Sequence, residues 1–328
     1  MSRSKFLEVR GLKKYFEAGR PALFSKSMKY VSAVDGVDLN LRRSEVIALV
    51  GESGCGKSTL ALLLMGLEDP TDGNVFFEGR DITHLNDHQR KDLRRKIQMV
   101  FQDPYESLNP TQTIEEIVTE PLLVHWIAPE KKERDAKVTK ALEDAGLKPA
   151  DVYLSRYPHE LSGGQRQRVV IAAALVLEPE IILADEPVSM LDVSIRAEVI
   201  NLLAELRIKR QIAVIFITHD LGSVGFFADR VAVMYLGRIV EIGTMFEVLE
   251  KPKHPYTKAL LSVIPVPNPR LRHERIILQG ETPNPINVPS GCRFHPRCPV
   301  AIGACAASDP PMIQLSETHQ SACLLLVK

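Results

Sequence analysis

Apolar positions along this chain gather into short saturated runs joined by glycine-, proline- or charge-rich stretches. EVIALV, Glu45 to Val50, predicts a strand buried on both faces. It runs into GESGCGKST and then the apolar LALLLMGL, so strand, glycine loop and helix follow in order. EIILADEP, Glu180 to Pro187, predicts a second strand that ends on two carboxylates. Between Gln102 and Leu161 strand character fades, and TIEEIVTEPLL and PEKKERDAKVTKALEDAGL show helical spacing. The charge run Glu130 to Lys137 reads as a solvated face. LSGGQ precedes RQRVVIAAALVL, whose mixed periodicity predicts a well-buried helix. After Gly243 the texture changes: KPKHPYTKALLSVIPVPNPR and GETPNPINVPSG are dense in proline, which forbids long helices and favours turn-linked chain. A boundary falls near residue 250, dividing the chain into 1–250, with a helical part over about 103–165, and 251–328.

Composition changes this picture little. With 45% hydrophobic and 25% charged residues in 328, the chain can bury a large core. Its 41 basic and 41 acidic residues cancel, so no global charge draws it to nucleic acid or to an anionic membrane. MSRSKFLEVRGL enters strand-like sequence at once, without the apolar run of a signal peptide. The longest apolar run, VVIAAALVL, is far short of the roughly 20 residues that span a bilayer. A cytosolic or peripheral chain is expected, and a reducing cytosol argues against structural disulfides.

Chemistry enters at the glycine loop. Gly51 to Ser58 fits GxxxxGK[ST], in which glycines let backbone N–H groups close around phosphate oxygens at a helix N-terminus. Gly51, Glu52, Ser53, Gly54, Cys55, Gly56, Lys57, Ser58 and Thr59 are therefore candidate nucleotide-binding residues. Lys57 would reach the β and γ phosphates and Ser58 would ligate Mg²⁺. Cys55 fits as a small residue, or as a reactive thiol near a helix start. Asp185 at the second strand end would hold Mg²⁺, and Glu186 beside it would polarise an attacking water. Ser162, Gly163, Gly164 and Gln165 form a second helix start that suits an anion.

P-loop, LSGGQ and LADEP in this order resemble the nucleotide-binding cassette of ABC ATPases, over about residues 6 to 250. The resemblance implies an α/β P-loop NTPase fold with a RecA-like core, an antiparallel β subdomain and a helical subdomain. It implies that Gln102 in MVFQDP contacts Mg²⁺ or water, and that His219 in VIFITHD bonds the γ-phosphate. It assigns SMLD, Ser189 to Asp192, to the D-loop, with Met190 in place of the commoner alanine. It puts Phe16 on the adenine, with Tyr15 as the neighbouring alternative. In that family the P-loop of one subunit and the LSGGQ of another clamp one ATP, so a dimer is implied. The Q-loop junction is where a membrane subunit docks a coupling helix.

HPYTKALL, His254 to Leu261, the proline-rich stretch and the cysteines beyond it resemble the C-terminal extension of ABC import ATPases for dipeptides and oligopeptides. Nickel importers are close relatives. RYPHELSGGQ, EPVSMLDVSI and DRVAVMYLGRIVEIG fit the same group. The resemblance then implies a motor subunit at the cytoplasmic face of the membrane, using ATP and Mg²⁺. Its implied partners are a related, non-identical second cassette, two permease subunits and an extracytoplasmic substrate-binding protein, with no nucleic acid. A soluble ABC ATPase acting on ribosomes or DNA is the other class. That class needs a tandem cassette, a long coiled coil or zinc insertions, and none appears in the sequence.

Four of the five cysteines lie at or beyond Cys292. Cys292, Cys298, Cys305 and Cys323 match neither the CxxC spacing of zinc sites nor the ferredoxin run. In the importer group this pattern resembles an iron–sulfur site, which implies a [4Fe–4S] cluster. Zn²⁺ and free thiols remain the alternatives. Arg293, His295 and Arg297 add positive charge among the cysteines, available to offset thiolates or to face solvent.

Overall fold

The computed structural model describes residues 6–18, 28–222, 224–225, 227–264 and 275–327. The end of the proline-rich stretch, residues 265–274, lies outside the described residues. The chain forms two compact units. One comprises Met1–Leu41, Ile47–His84 and Thr218–Lys328, and the other Arg42–Val46 and Leu85–Ile217.

In the first unit, strand Leu7–Glu17 pairs antiparallel with Tyr30–Leu41 and with Asp72–Phe77, and Arg80–Asp81 extends the edge. Leu7, Val9 and Leu12 are buried while Arg10 is exposed, an alternation that gives the sheet one core face. The register shifts after Val9 and again after Arg10, where Gly11 adopts φ 52°. A side chain at Gly73 would collide there with the backbone of Gly11 and Leu12, so the bulge is built on two glycines.

A second sheet of this unit places Val46–Val50, all but its first residue, parallel to Arg230–Tyr235. Leu236 and Gly237, both at positive φ, turn the chain into Arg238–Thr244, and Gln320–Ser321 then pairs with Glu241 and Ile242. Ile313–Gln314 continues the order outward. The C-terminal segment is thus part of this unit's sheet. Glu241, fully buried, anchors it by accepting from the N–H groups of Lys253 at 2.7 Å and His254 at 3.0 Å, and it pairs with His319 Nε2 at 2.8 Å. HPYTKALL folds as helix Pro255–Ser262, started by a proline at its first position, where the missing N–H costs nothing.

In the second unit, Ile97–Val100, Ile181–Asp185 and Ala213–Thr218, all but its last residue, run parallel in register, Ile181 opposite both Ile97 and Ala213. All five residues of Ile181–Asp185 are buried, which is why that run shows no alternation. Its longer helices include Ile114–Val124, Lys131–Asp144, Gly163–Leu175 and Val193–Arg210. Lys131–Asp144 buries only Val138, Ala141 and Leu142, so its charge run is a solvated face. No helix among the described residues is long and apolar enough to cross a membrane.

Candidate functional site

The glycine loop closes between the strand Val46–Val50 and the helix Lys57–Leu64. A Cβ at Gly51 would strike the carbonyl oxygen of Met234, and one at Gly56, held at φ 106°, would strike that of Ala33. Only glycine fits either position. Gly56 is also the helix N-cap and supplies no side-chain hydrogen bond, which leaves the first N–H groups of the helix for a ligand. Lys57 is buried and turns its ammonium onto the loop's own carbonyls, Gly51 O at 2.8 Å and Glu52 O at 3.0 Å. Ser53, Gly54 and Ser58 are exposed and Thr59 is half-buried.

Cys55 is almost wholly buried, and burial pushes its thiol up despite the nearby Lys57. Of the two sequence readings, the packed small residue is the one the structure favours.

Glu52 is held from outside the loop. Its N–H donates to the Tyr256 hydroxyl at 2.9 Å, and its carboxylate accepts from Arg297 at 2.8 and 3.2 Å and from Thr282. Burial acts to raise the Glu52 carboxyl, but Arg297 and Thr282 outweigh it and hold it below the usual range. This bracing has no sequence signal, since its partners lie more than two hundred residues apart.

Tyr15 and Phe16 are neighbours on strand Leu7–Glu17 and so point to opposite faces. The Tyr15 hydroxyl donates to Asp35, and burial with that bond pushes its pKa up to about 12. Phe16 instead carries the Lys14 ammonium 4.8 Å from its ring centroid. His219 follows the end of strand Ala213–Thr218 and is exposed.

In the second unit, Asp185 ends its strand buried, and Glu186 adopts φ 45°, a left-handed conformation that non-glycine residues rarely hold. The Glu186 N–H donates to Ile217 O at 2.9 Å, and Ser189 N–H and Oγ donate to Glu186 O. The twist turns the carboxylate out of the strand, where Gln102 Nε2 lies 3.4 Å from Glu186 Oε2. Gln102 and Glu186 thus meet, as their sequence positions alone could not reveal.

Ser162 caps helix Gly163–Leu175. Its Oγ accepts from Gln165 N–H at 3.3 Å while Gln165 Oε1 accepts from Ser162 N–H at 3.0 Å. A Cβ on Gly164 would stand 2.5 Å from Ile195 Cγ2 of helix Val193–Arg210. Asp192, at the start of that helix, is exposed and makes no side-chain cap bond, and Met190 is 58% exposed.

The four C-terminal cysteines are free thiols in the first unit. Burial raises Cys292, Cys298 and Cys323, and neighbouring thiols raise them further: Cys305 acts on all three, Cys298 on Cys292 and Cys323 on Cys298. Cys292 N–H donates to Cys305 O at 2.8 Å, which ties these two segments together. Yet no three His, Cys, Asp or Glu side chains among the described residues form a site for one metal ion. The arginines among them face carboxylates: Arg293 pairs with Asp35 and Arg297 with Glu52. His295 Nδ1 lies 2.8 Å from Cys292 O.

Comparison with known proteins supplies the family. The ABC transporter family matches residues 34–189, and the oligopeptide/dipeptide transporter C-terminal region matches 240–305. The oligopeptide transport ATP-binding protein AppF of Bacillus subtilis is 48% identical over 97% of each chain. The dipeptide transport ATP-binding protein DppF of Haemophilus influenzae is 49% identical, over 97% of this chain and 95% of that protein. Among solved structures, an ATP-binding cassette dimer in a post-hydrolysis state with ADP and phosphate has 31% identity and a TM-score of 0.64, covering 73% of this chain and 98% of that one. The cassette CbiO1 of Clostridium perfringens, part of the ABC transporter complex CbiONQ, has 30% identity and a TM-score of 0.65, covering 75% of this chain and 91% of that one. A P-loop and an LSGGQ helix start on one chain, continuous with a C-terminal region of this kind, have one common explanation: the chain belongs to the ATP-binding proteins of ABC transporters, in the group that carries the oligopeptide/dipeptide transporter C-terminal region.

Proposed function

We propose that this chain is the ATP-hydrolysing motor subunit of an importer for dipeptides or oligopeptides, held at the cytoplasmic face of the membrane by separate permease subunits. The observation that carries the reading is that one chain offers two unlike halves of an ATP clamp, a P-loop and an LSGGQ helix start. Each half needs its complement from a second cassette, a related chain or a copy. An extracytoplasmic substrate-binding protein would deliver the cargo. In sequence the cassette occupies 1–250 and the importer-type extension 251–328.

Backbone N–H groups from Gly54 to Thr59 take the β and γ phosphates, and Lys57 swings from its carbonyl partners onto them. Phe16 stacks on adenine, and Ser162, Gly163, Gly164 and Gln165 of the opposing cassette meet the γ-phosphate, with Asp192 beside them. By the family resemblance, Ser58, Gln102 and Asp185 would hold Mg²⁺ through their side-chain oxygens, and the ion would offset phosphate charge. Glu186 orients water and takes its proton, with Gln102 holding the carboxylate and His219 steadying the γ-phosphate. Glu186→Gln is expected to lower turnover by about 10²–10⁴-fold while ATP-bound dimer accumulates on size exclusion. Normal turnover in that variant would remove Glu186 from the role.

A groove of about 350 Å³ in the second unit supports permease docking. Phe101, Leu108, Ile117, Val124 and Val170 line it, beside the strand that leads to Gln102. Gln98, Ser107, Glu120 and His125 line it too, so an amphipathic helix suits it.

For Cys292, Cys298, Cys305 and Cys323 the reading is a [4Fe–4S] cluster, with Zn²⁺ as the alternative; what supports it is four free thiols carried by one unit. When bound, it would tie these segments together and carry one electron. Anaerobically purified protein should be brown, with stoichiometric iron and sulfide; colourless protein containing zinc would reverse the assignment.

A further inference from the structure

We infer that the C-terminal extension shapes this chain's own phosphate loop, with Arg297 and Tyr256 as positioning residues acting through Glu52, so that nucleotide binding and the cysteine-bearing turn are coupled. The inference rests on the reading of Gly51–Ser58 as a nucleotide site.

Glu52 is gripped at two points by residues distant in sequence. Tyr256 takes its backbone N–H at 2.9 Å, and Arg297 takes both carboxylate oxygens, at 2.8 and 3.2 Å. The Arg297 side chain is only 10% exposed and that of Glu52 24%, so solvent screens the pair little. A two-point guanidinium–carboxylate contact fixes direction as well as distance. Neither grip uses the N–H groups from Gly54 onward that a phosphate would need.

Both grips lead to the same turn. Tyr256 is fully buried against Phe294, with ring centroids 5.3 Å apart, and both pack on Tyr235, at 4.7 and 5.3 Å. Phe294 lies between Cys292 and Cys298 in sequence. Arg297 N–H donates to Phe294 O at 3.0 Å, and Cys298 N–H donates to His295 O at 3.3 Å, so guanidinium, aromatic ring and thiols share one tight turn. Tyr235 follows Met234, whose carbonyl oxygen fills the space where Gly51 would carry a side chain. A shift of the Cys292–Cys298 turn must therefore move Arg297 and Phe294, and with them the loop. Coupling of this kind is reciprocal: fixing the loop with nucleotide must also fix the turn.

The test uses the full chain, with N-methylanthraniloyl-ATP and Mg²⁺ as the probe and hydrogen exchange of residues 290–299 as the second readout. Arg297→Met should weaken binding about 5- to 20-fold, within the range of ordinary coupling between sites, and Arg297→Lys should restore part of it. Nucleotide should slow exchange in the turn at least threefold in the wild type and leave it unchanged in Arg297→Met. A folded Arg297→Met that binds within twofold of wild type overturns the inference. So does wild-type exchange that ignores nucleotide, which decides the matter even where the variant fails to fold. A wild type that binds no nucleotide overturns the site reading itself.

Discussion

The two helix starts that this chain offers to an anion are finished in opposite ways. At Gly56–Lys57 no side chain caps the helix, a glycine sits at φ 106°, and the neighbouring Glu52 is braced by residues from the far end of the sequence. At Ser162–Gly163 the cap is local and closed on itself through Ser162 and Gln165. The first site is thus shaped by packing and left open. The second satisfies two of its donors, the N–H groups of Ser162 and Gln165, within the cap itself. Damage at the first should act through the fold, and loss of the Ser162 cap at the second mainly through local helix stability.

Gly56→Ala tests this contrast hardest. The new Cβ meets the Ala33 carbonyl at a backbone angle that alanine resists, so strain and overpacking together should cost roughly 4 kcal/mol and abolish nucleotide binding. Calorimetric unfolding and a nucleotide titration read both; a variant that still binds would show the loop to be softer than its packing implies. Acid should separate the sites next. His254 is buried, accepts from Tyr256 N–H through Nδ1, and burial lowers its pKa from 6.5 to about 4. The unfolded chain binds that proton more readily, so folded stability should fall as pH drops from about 6.5 towards 4, by roughly 3 kcal/mol. Hydrogen exchange at pH 5 should open Pro255–Ser262 before Gly163–Leu175, and His254→Asn should remove the difference.

Gly164→Ala should cost less, roughly 2 kcal/mol, because its clash is with a side-chain methyl group. Ile195→Ala in the same chain should recover part of that loss in a melting experiment; no recovery would place the constraint in the backbone. Smallest is Ser162→Ala, which removes a cap worth roughly 1 kcal/mol. Urea denaturation should detect it, and a loss as large as that of Gly56→Ala would erase the contrast.

Much of the second unit was legible in the sequence. The saturated run Ile181–Ala184 predicts a strand, which the fold buries throughout, and the charges from Glu130 to Lys137 predict a solvated helix face; local patterns sufficed because they follow the element's own period. The left-handed φ of Glu186 was not legible, since no glycine marks it. In the first unit, GESGCGKST announced the loop but not its bracing. In sequence Arg293 and Arg297 read either as company for thiolates or as solvated charges, because they neighbour cysteines. In the fold their charges belong to Asp35 and Glu52, partners that only chain reversal brings near.

The short pairing of Gln320–Ser321 with Glu241–Ile242 bears on how the chain is made as well as how it rests. A strand edge left uncovered is a template for pairing with another chain. On the ribosome, Arg238–Thr244 emerges well before the residues that cover it, so its outer edge stays bare while synthesis continues. Chains released before Ser321 would carry that bare edge permanently and should be the ones that aggregate.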